Sequence, residues 1–309
     1  NYNMLKAAEI VYNEQIAKPI LLGDTKKIQE LIDEHSLELS GVEMINPRAD
    51  EQEKRRQEFA EILYEKHQRQ GITMQAALDH LNHRNYFAPM LVETGYADAM
   101  VSGLIRNYPE AIKPAMDIIG MRDGERLVTG MYIINTKRGP YFFADCTVNK
   151  SPTAEDLIDI TLQTVTAVNK LGTKPRVAFV SYSNFGSNPG DIPEKQGRAI
   201  EYLHKHYPDI IVDGEMQANI ALNNDILKEN FPFSKLVDGP ANTLIFPYLT
   251  AGNIAFKLLQ ELADVEVIGP ILNGMKKSVH VLQIGSSVNE IVNMVMIACV
   301  DAICVKRKC

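Results

Sequence analysis

The stretch that decides the fold is RVAFVSYSNFGS, residues 176–187. Its first half is a short β-branched and apolar run that predicts a strand, its second half is a turn rich in serine, and the following periodicity predicts a helix from near Glu194. A strand, a Ser/Gly-rich turn and a helix in this order present backbone N–H groups and hydroxyls to an anion at the carboxyl edge of a sheet. A plain Ser/Gly loop is the competing interpretation, because such loops are common. The stretch has no Walker lysine and no GxGxxG, so it does not indicate a nucleoside triphosphate or a dinucleotide.

The rest of the chain alternates short apolar runs with longer segments of helical period, which predicts βαβ units and mainly parallel sheets. The predicted strands are residues 19–22, 42–45, 99–101, 127–134, 141–145, 176–180, 210–213, 243–246 and 265–268. The clearest predicted helices are residues 52–69, 154–171 and 287–305, the last a nearly all-apolar helix expected to be buried. The fold class is therefore α/β.

A turn of sequence NTKRGP, residues 135–140, separates two neighbouring predicted strands and suggests a domain boundary. We expect a first α/β domain made of residues 1–136 plus 281–309 and a second made of residues 137–280. The chain opens with a helical pattern, whereas an α/β domain normally opens with a strand. The first strand of the first domain is thus expected to be missing.

Composition excludes several classes of protein. The 309 residues have a net charge of −7 and no basic stripe, so nucleic acid is not an expected partner. The four cysteines show no metal-ligand spacing, which favours reduced thiols, a cytoplasmic location and no metal site. The longest apolar stretch, residues 291–305, falls short of the ~20 residues that cross a bilayer, and no signal peptide is visible, so no membrane is expected.

Two further segments contain candidate site residues. Asp213 and Glu215 form a carboxylate pair at i and i+2. Both acid–base work and a structural role, in which the pair caps helices or bonds loop amides, stay open, and the structural role is favoured. Arg106 follows a predicted strand end, where either a phosphate contact or a solvated surface charge is expected.

Eight ordered segments resemble the phosphate acetyl/butyryl transferase family. They are residues 18–23, 97–103, 143–145, 181–183, 213–215, 245–247, 252–258 and 268–271. The resemblance covers essentially the whole chain and implies two α/β domains with mostly parallel sheets flanked by helices, a cleft between them, and a homodimer or higher homo-oligomer.

Within this family, five segments resemble the domain fused behind the catalytic part of bacterial hybrid NADP-dependent malic enzymes. They are residues 3–8, 85–88, 106–109, 181–187 and 231–236. This finer resemblance implies a parent reaction that converts malate and NADP to pyruvate, CO2 and NADPH. It places NADP and Mg or Mn in an N-terminal part outside these residues, with which this chain would interact, and leaves acetyl-CoA as the ligand here.

Departures from the family pattern bear on catalysis. Where the family has Leu-Ser-Arg-Gly, this chain has Gln283 and Ile284 in place of the serine and the arginine. Glu290 keeps the acidic position that follows in the family pattern. Lys113 and His67 replace two further arginines of that pattern. Arginine holds phosphate through planar bidentate contacts that lysine does not reproduce. The resemblance therefore implies a catalytically degenerate domain that binds acetyl-CoA as a regulator. An active transferase that uses Lys113, Arg106 and Glu290, and a pure assembly module, are the alternatives.

The candidate residues for binding acyl-CoA or phosphate fall into three groups. They are Arg106, Asn107, Tyr108 and Lys113; Ser181, Tyr182, Ser183, Asn184, Gly186 and Ser187; and Gln283.

Overall fold

The chain divides into two compact units, Asn1–Arg122 with Met275–Cys309, and Asp123–Gly274. A computed structural model describes residues 1–103 and 108–307, with the side chains of residues 108–110 outside that description. Each unit is an α/β structure, with helices around two small sheets in the first unit and one larger sheet in the second, and the predicted α/β class with mostly parallel sheets is confirmed.

The first unit contains two small parallel sheets among helices. Its elements are α1 (Tyr2–Asn13), β1 (Ile20–Leu22), α2 (Thr25–Glu34), β2 (Glu43–Ile45), α3 (Glu53–His67), α4 (Met74–Leu81), α5 (Arg84–Glu93), β3 (Ala99–Gly103), α6 (Tyr108–Ile118), and, after the second unit, β10 (Ser278–Leu282) and α12 (Val288–Arg307). Strand β1 pairs with β2, and β3 pairs with β10, both in parallel.

The second unit is built on one sheet of six strands. Its elements are β4 (Thr129–Thr136), β5 (Gly139–Ala144), α7 (Ala154–Lys170), β6 (Val177–Val180), α8 (Asp191–His206), β7 (Val212–Met216), α9 (Ala218–Leu222), α10 (Asn224–Asn230), β8 (Thr243–Ile245), α11 (Leu249–Leu262) and β9 (Glu266–Asn273). The strand order is β7-β6-β8-β5-β4-β9. The first four strands in that order are parallel, and β4 runs antiparallel to both of its neighbours.

Local sequence explains the central elements of this unit. All four residues of β6 are buried, as expected for a parallel strand covered on both faces. Helix α7 begins with a capping box in which the Thr153 hydroxyl accepts a hydrogen bond from the Asp156 N–H and the Asp156 carboxylate accepts one from the Thr153 N–H. Together they fix the start of α7 close to the carboxyl edge of the sheet.

The chain crosses from the first unit to the second before it reaches the turn at residues 135–140. The structure divides after Arg122 and after Gly274, whereas the sequence placed these points after residues 136 and 280. The reason is that β4 and β5 form a hairpin around that turn, and β4 also pairs with β9, so β4 belongs to the six-stranded sheet. The turn is internal to the second unit.

Helix α12 differs from the buried apolar helix that was expected. It is 20 residues long, and by length and composition it could cross a membrane, so the expectation that this segment is too short was wrong. One face packs on α1, β3 and β10 and buries Ile291, Met294 and Ala298, as in a core helix. The other face leaves Val300 and Ile303 39% and 47% exposed. One such helix is weak evidence of a membrane span.

Candidate functional site

Two neighbouring strands of the first unit end side by side at one sheet edge. The parallel register pairs Leu282 at the end of β10 with Gly103 at the end of β3. At Gly103 (φ +126°) a Cβ atom would lie 2.2 Å from the Leu282 carbonyl oxygen, so only glycine permits this approach. The segment that follows β3 and the segment that follows β10 therefore start together, where ligands of parallel α/β sheets bind.

The predicted residues at this edge differ in how far the structure describes them. Arg106 and Asn107 lie outside the described residues, and Tyr108 is the first residue of α6, its side chain also outside the description. Gln283 and Ile284 follow β10 directly. Ile284 is 63% exposed in the turn before α12. An apolar side chain there can supply neither charge nor a hydrogen bond to an anion.

Glu290 helps to cap the start of α12. Its Oε2 accepts a hydrogen bond from the Ser287 N–H at 2.6 Å, and its own N–H donates to the Ser287 Oγ at 3.2 Å. This is a capping box, in which the carboxylate satisfies a helix-terminal donor. The geometry gives Glu290 a helix-capping contact in addition to the acidic position that the family resemblance assigns to it.

His67 and Lys113, which replace two arginines of the family pattern, have different surroundings. The His67 Nε2 lies 2.8 Å from the Asp117 carbonyl oxygen and its Nδ1 lies 2.8 Å from the Gln70 Oε1. His67 therefore contacts the C-terminus of α6, where carbonyl groups favour a donor. Lys113 is exposed in the middle of α6, directly before the buried Pro114.

The Ser-rich turn of the second unit uses several of its own hydroxyls. The Ser183 Oγ is buried and accepts a hydrogen bond from the Asn188 N–H at 3.1 Å, while the Ser187 Oγ accepts one from the Asn184 N–H at 3.0 Å. Tyr182 presents a side chain that is 47% exposed, and Gly186 is exposed. The structure brings the six predicted residues of this turn together at the carboxyl end of β6.

The carboxylate pair of β7 holds this turn and a neighbouring loop. The Glu215 Oε1 accepts a hydrogen bond from the Gly186 N–H at 2.8 Å, and the Glu215 carbonyl oxygen accepts one from the Phe185 N–H at 2.7 Å. The Asp213 Oδ2 accepts a hydrogen bond from the Lys235 N–H at 2.7 Å. Both carboxylates bond loop amides, so the structural interpretation of the pair is the one that the geometry supports.

A cavity of about 480 Å³ lies in the second unit where α7 and α8 begin. It is lined by residues 151–155, by Asp191, Glu194, Lys195 and Arg198, and by Tyr248. The buried Lys195 Nζ donates to the Pro152 carbonyl oxygen at 2.8 Å and the Pro247 carbonyl oxygen at 3.0 Å, and lies 4.0 Å from the centre of the Tyr248 ring. Desolvation lowers the pKa of Lys195.

Asp145 shapes the loop that leads to this cavity. Its carboxylate accepts hydrogen bonds from the N–H groups of Thr147, Val148 and Asn149, at 2.7, 3.0 and 2.9 Å. Burial raises the pKa of Asp145, while these hydrogen bonds act in the opposite direction. Sequence reasoning placed Asp145 only in a predicted strand and in a segment of the family resemblance. It did not single out Lys195, whose partners Pro152 and Pro247 are distant in the chain.

The fold and these edges define a class: an α/β protein with mostly parallel sheets, whose candidate residues lie in turns at the carboxyl ends of strands. Residues 1–299 match the model of the phosphate acetyl/butaryl transferase family. The chain belongs to this family, which confirms the family resemblance found in the sequence.

Similar proteins include both free-standing and longer chains. A phosphate acetyltransferase of Thermoanaerobacterium thermosaccharolyticum is 38% identical over 96% of this chain and 91% of the relative. An NADP-dependent malic enzyme of Haemophilus influenzae is 36% identical over 96% of this chain but only 39% of the relative. A solved phosphotransacetylase of Streptococcus pyogenes superposes with a TM-score of 0.88 at 31% identity, over 98% of this chain and 91% of the other.

Proposed function

We propose that the chain binds acetyl-CoA or a related acyl-CoA. The single observation that carries this proposal is the family match over residues 1–299. The pairing of Leu282 with Gly103 supports it, because it starts two candidate ligand segments at one sheet edge. Two functions are compatible with such binding, and they differ in whether acetyl transfer follows.

The first function is phosphate acetyl transfer. The thioester C–S bond of acetyl-CoA breaks, a C–O bond to phosphate forms, and the products are acetyl phosphate and CoA, with a proton returned to the thiolate. The names of the relatives favour this function over a regulatory one, since the Thermoanaerobacterium and Streptococcus proteins are both named for it. Lys113, Arg106 and Glu290 are the residues we assign to it.

The second function is regulatory, and one local observation favours it. Ile284 is 63% exposed at the position where the resemblance places an arginine. Removal of one preorganised donor typically costs about 2.7–4 kcal/mol of transition-state stabilisation, so such a site would bind acetyl-CoA and transfer slowly. The malic enzyme relative supports placing this domain behind a malate- and NADP-binding part, which would hold NADP and Mg or Mn.

We also propose that the domain acts in the cytoplasm as a homo-oligomer. Helix α11 supports the second half of this proposal, because it exposes an apolar stripe at i, i+4 and i+8: Ile254 at 53%, Leu258 at 53% and Leu262 at 82%. Contiguous exposed apolar surface typically marks an interaction site. A second copy of the same helix, related by a twofold axis, would bury the stripe against itself.

Calorimetric titration with acetyl-CoA, run beside an assay of acetyl phosphate formation, tests the acyl-CoA proposal. Saturable binding with turnover that Lys113→Ala abolishes would support transfer, and saturable binding without turnover would support regulation. Absence of binding would contradict both and leave an assembly module. In a longer protein that contains this chain, malate kinetics measured with and without acetyl-CoA complete the test, because a regulator must bind two states with different affinity.

A further inference from the structure

Three phenylalanine rings, one exposed and two partly buried, form a cluster beside the Ser-rich turn of the second unit. The cluster, here the phenylalanine platform, consists of Phe185, Phe231 and Phe233. The Phe185 ring centre lies 4.9 Å from that of Phe231 and 5.0 Å from that of Phe233. Phe185 and Phe231 also pack partly against the buried core of the unit, so the platform has a fixed base.

Phe233 contributes little to that core. It is 69% exposed, and it is the only phenylalanine among the large exposed apolar side chains of the described residues. Its plane stands 74° from that of Phe185 and 85° from that of Phe231, so both neighbours meet it in T-shaped contacts. These contacts orient the Phe233 ring without burying it, and such a ring is suited to stack on another flat aromatic group.

The backbone beneath the platform is held in an unusual conformation. Phe185 has φ +48°, in the left-handed region that a phenylalanine seldom adopts. Glu215 holds it there through the Phe185 and Gly186 N–H groups, which donate to the Glu215 carbonyl oxygen and Oε1. Strained residues of this kind concentrate at ligand sites, because surrounding contacts must maintain them.

Polar residues lie next to the phenylalanines of the platform in the chain. Lys235, exposed two residues after Phe233, can pair with a phosphate, and its N–H is fixed by Asp213. The Ser-rich turn contributes the hydroxyl of the exposed Ser187, whereas the N–H groups of Gly186 and Ser187 already donate to Glu215 and Asn184. A flat aromatic surface near a cation and a serine hydroxyl fits a nucleotide, whose base stacks and whose phosphates take the polar contacts.

We propose that the phenylalanine platform stacks the adenine ring of acyl-CoA, with Phe233 as the stacking residue. The inference rests on the proposed acyl-CoA binding and assigns the nucleotide end of that ligand to the second unit. It requires that the contribution of Phe233 be specific for the adenosine part of the ligand. The pantetheine arm, which carries the acyl group, should not depend on Phe233.

The test is calorimetric titration of the chain with three probes: acetyl-CoA, adenosine 3′,5′-bisphosphate and acetyl-pantetheine 4′-phosphate, which lacks adenosine. Phe233→Ala should weaken binding of the first two probes about 10-fold and leave the third unchanged. Phe233→Trp should retain binding within about 3-fold, whereas Phe233→Leu, apolar but without a π face, should behave like Phe233→Ala. Tyr207→Ala, which removes another exposed aromatic ring, is the control and should change none of the three.

The outcomes separate this inference from the proposed function. Acetyl-CoA binding that Phe233→Ala leaves unchanged would overturn the platform and keep the proposed function. Equal weakening of all three probes would also overturn it, since the effect would not be specific for adenosine. Adenosine bisphosphate binding that depends on Phe233, without acetyl-CoA binding, would contradict the proposed function and overturn the assignment to acyl-CoA, and it would leave a stacking site for another nucleotide. If none of the probes binds, both are overturned.

Discussion

The Glu215 carboxylate accepts a hydrogen bond from the Gly186 N–H at 2.8 Å, and this bond ties the Ser-rich turn to the neighbouring strand β7. Glu215 is only 4% exposed, so little water can replace it as the acceptor. The Ser-rich turn holds six of the predicted ligand residues, and its conformation therefore depends on the Glu215 carboxylate. In the described hydrogen bonds, this carboxylate contacts none of the side chains of those six residues. Removal of the Glu215 carboxylate should lower both the stability of the protein and its affinity for the ligand.

Glu215→Ala should lower the free energy of unfolding by about 1–3 kcal/mol, because it leaves the Gly186 N–H without its acceptor. Urea unfolding measures this loss, and titration with acetyl-CoA measures the weaker binding that a loosened turn implies. Glu215→Gln keeps the Oε1 acceptor and should recover most of both quantities. A Glu215→Ala protein as stable as the wild type would contradict the role given to this bond.

His280 should make folding stability depend on pH. It is fully buried on β10, and desolvation lowers its pKa from 6.5 to about 4, opposed by Asp301. Between these values the unfolded chain binds a proton that the folded chain does not. Stability is therefore complete above pH 6.5 and falls as the pH drops toward 4, by about 3 kcal/mol in all.

Urea unfolding at pH 7 and at pH 4.5 measures this dependence. Other groups also titrate in this range, so the comparison is with His280→Asn, which removes the titrating ring. The free energy of unfolding of the variant should depend less steeply on pH, because the contribution of His280 is lost, whatever the stability of the variant at pH 7. An identical slope in both proteins would show that His280 is not kept neutral by the fold.

The sequence predicted the strands of the second unit well where their runs are continuous and apolar. Residues 177–180 are all buried, as a β-branched run covered on both faces should be. Strand β10 was missed, since Ser278 and His280 interrupt its apolar pattern. Both are buried, and the Ser278 Oγ donates to the Ala298 carbonyl oxygen at 3.0 Å, a partner on α12 that no local pattern reveals.

The candidate site was only partly accessible to sequence reasoning. The Ser-rich turn was found because its composition is local. The structural interpretation of the carboxylate pair anticipated bonds to loop amides, but not that Glu215 bonds the Ser-rich turn. The Lys195 cavity was not found, because the Lys195 Nζ donates to the carbonyl oxygens of Pro152 and Pro247, which are far from it in the chain. Lys195 lies near the start of a helix among polar residues, and its burial there depends on the tertiary fold and not on the local sequence.

The apolar stripe of α11 should control assembly. Leu258→Glu and Leu262→Glu place charges on side chains that are 53% and 82% exposed, so each should shift the protein to a monomer with little change in fold. Sedimentation velocity measures the mass, and circular dichroism checks the fold. Leu262→Met keeps the apolar surface and should remain associated. A wild type that sediments as a monomer, or glutamate variants that remain associated, would contradict the proposed interface.

Restoring the family residues after β10 should reveal which proposed function holds. In the regulatory interpretation, transfer is slow because Ile284 cannot hold phosphate, so Gln283→Ser combined with Ile284→Arg should raise acetyl phosphate formation by about 100-fold or more. Ile284 is 63% exposed, so the change should cost little stability. Gln283→Ser with Ile284→Leu is the matched control, since it restores the hydroxyl without the guanidinium.

The comparison is interpreted against the rate at which the unaltered chain forms acetyl phosphate. Negligible turnover that rises with Ile284→Arg, and not with Ile284→Leu, would show that the loss of an arginine clamp accounts for a degenerate site on an otherwise intact scaffold. Rapid turnover that the double variant leaves unchanged would show that other cations already hold the phosphate, with Lys113 and Arg106 the residues to replace next. In that case the domain is a working transferase, and the exposed Ile284 lies outside the transition-state contacts.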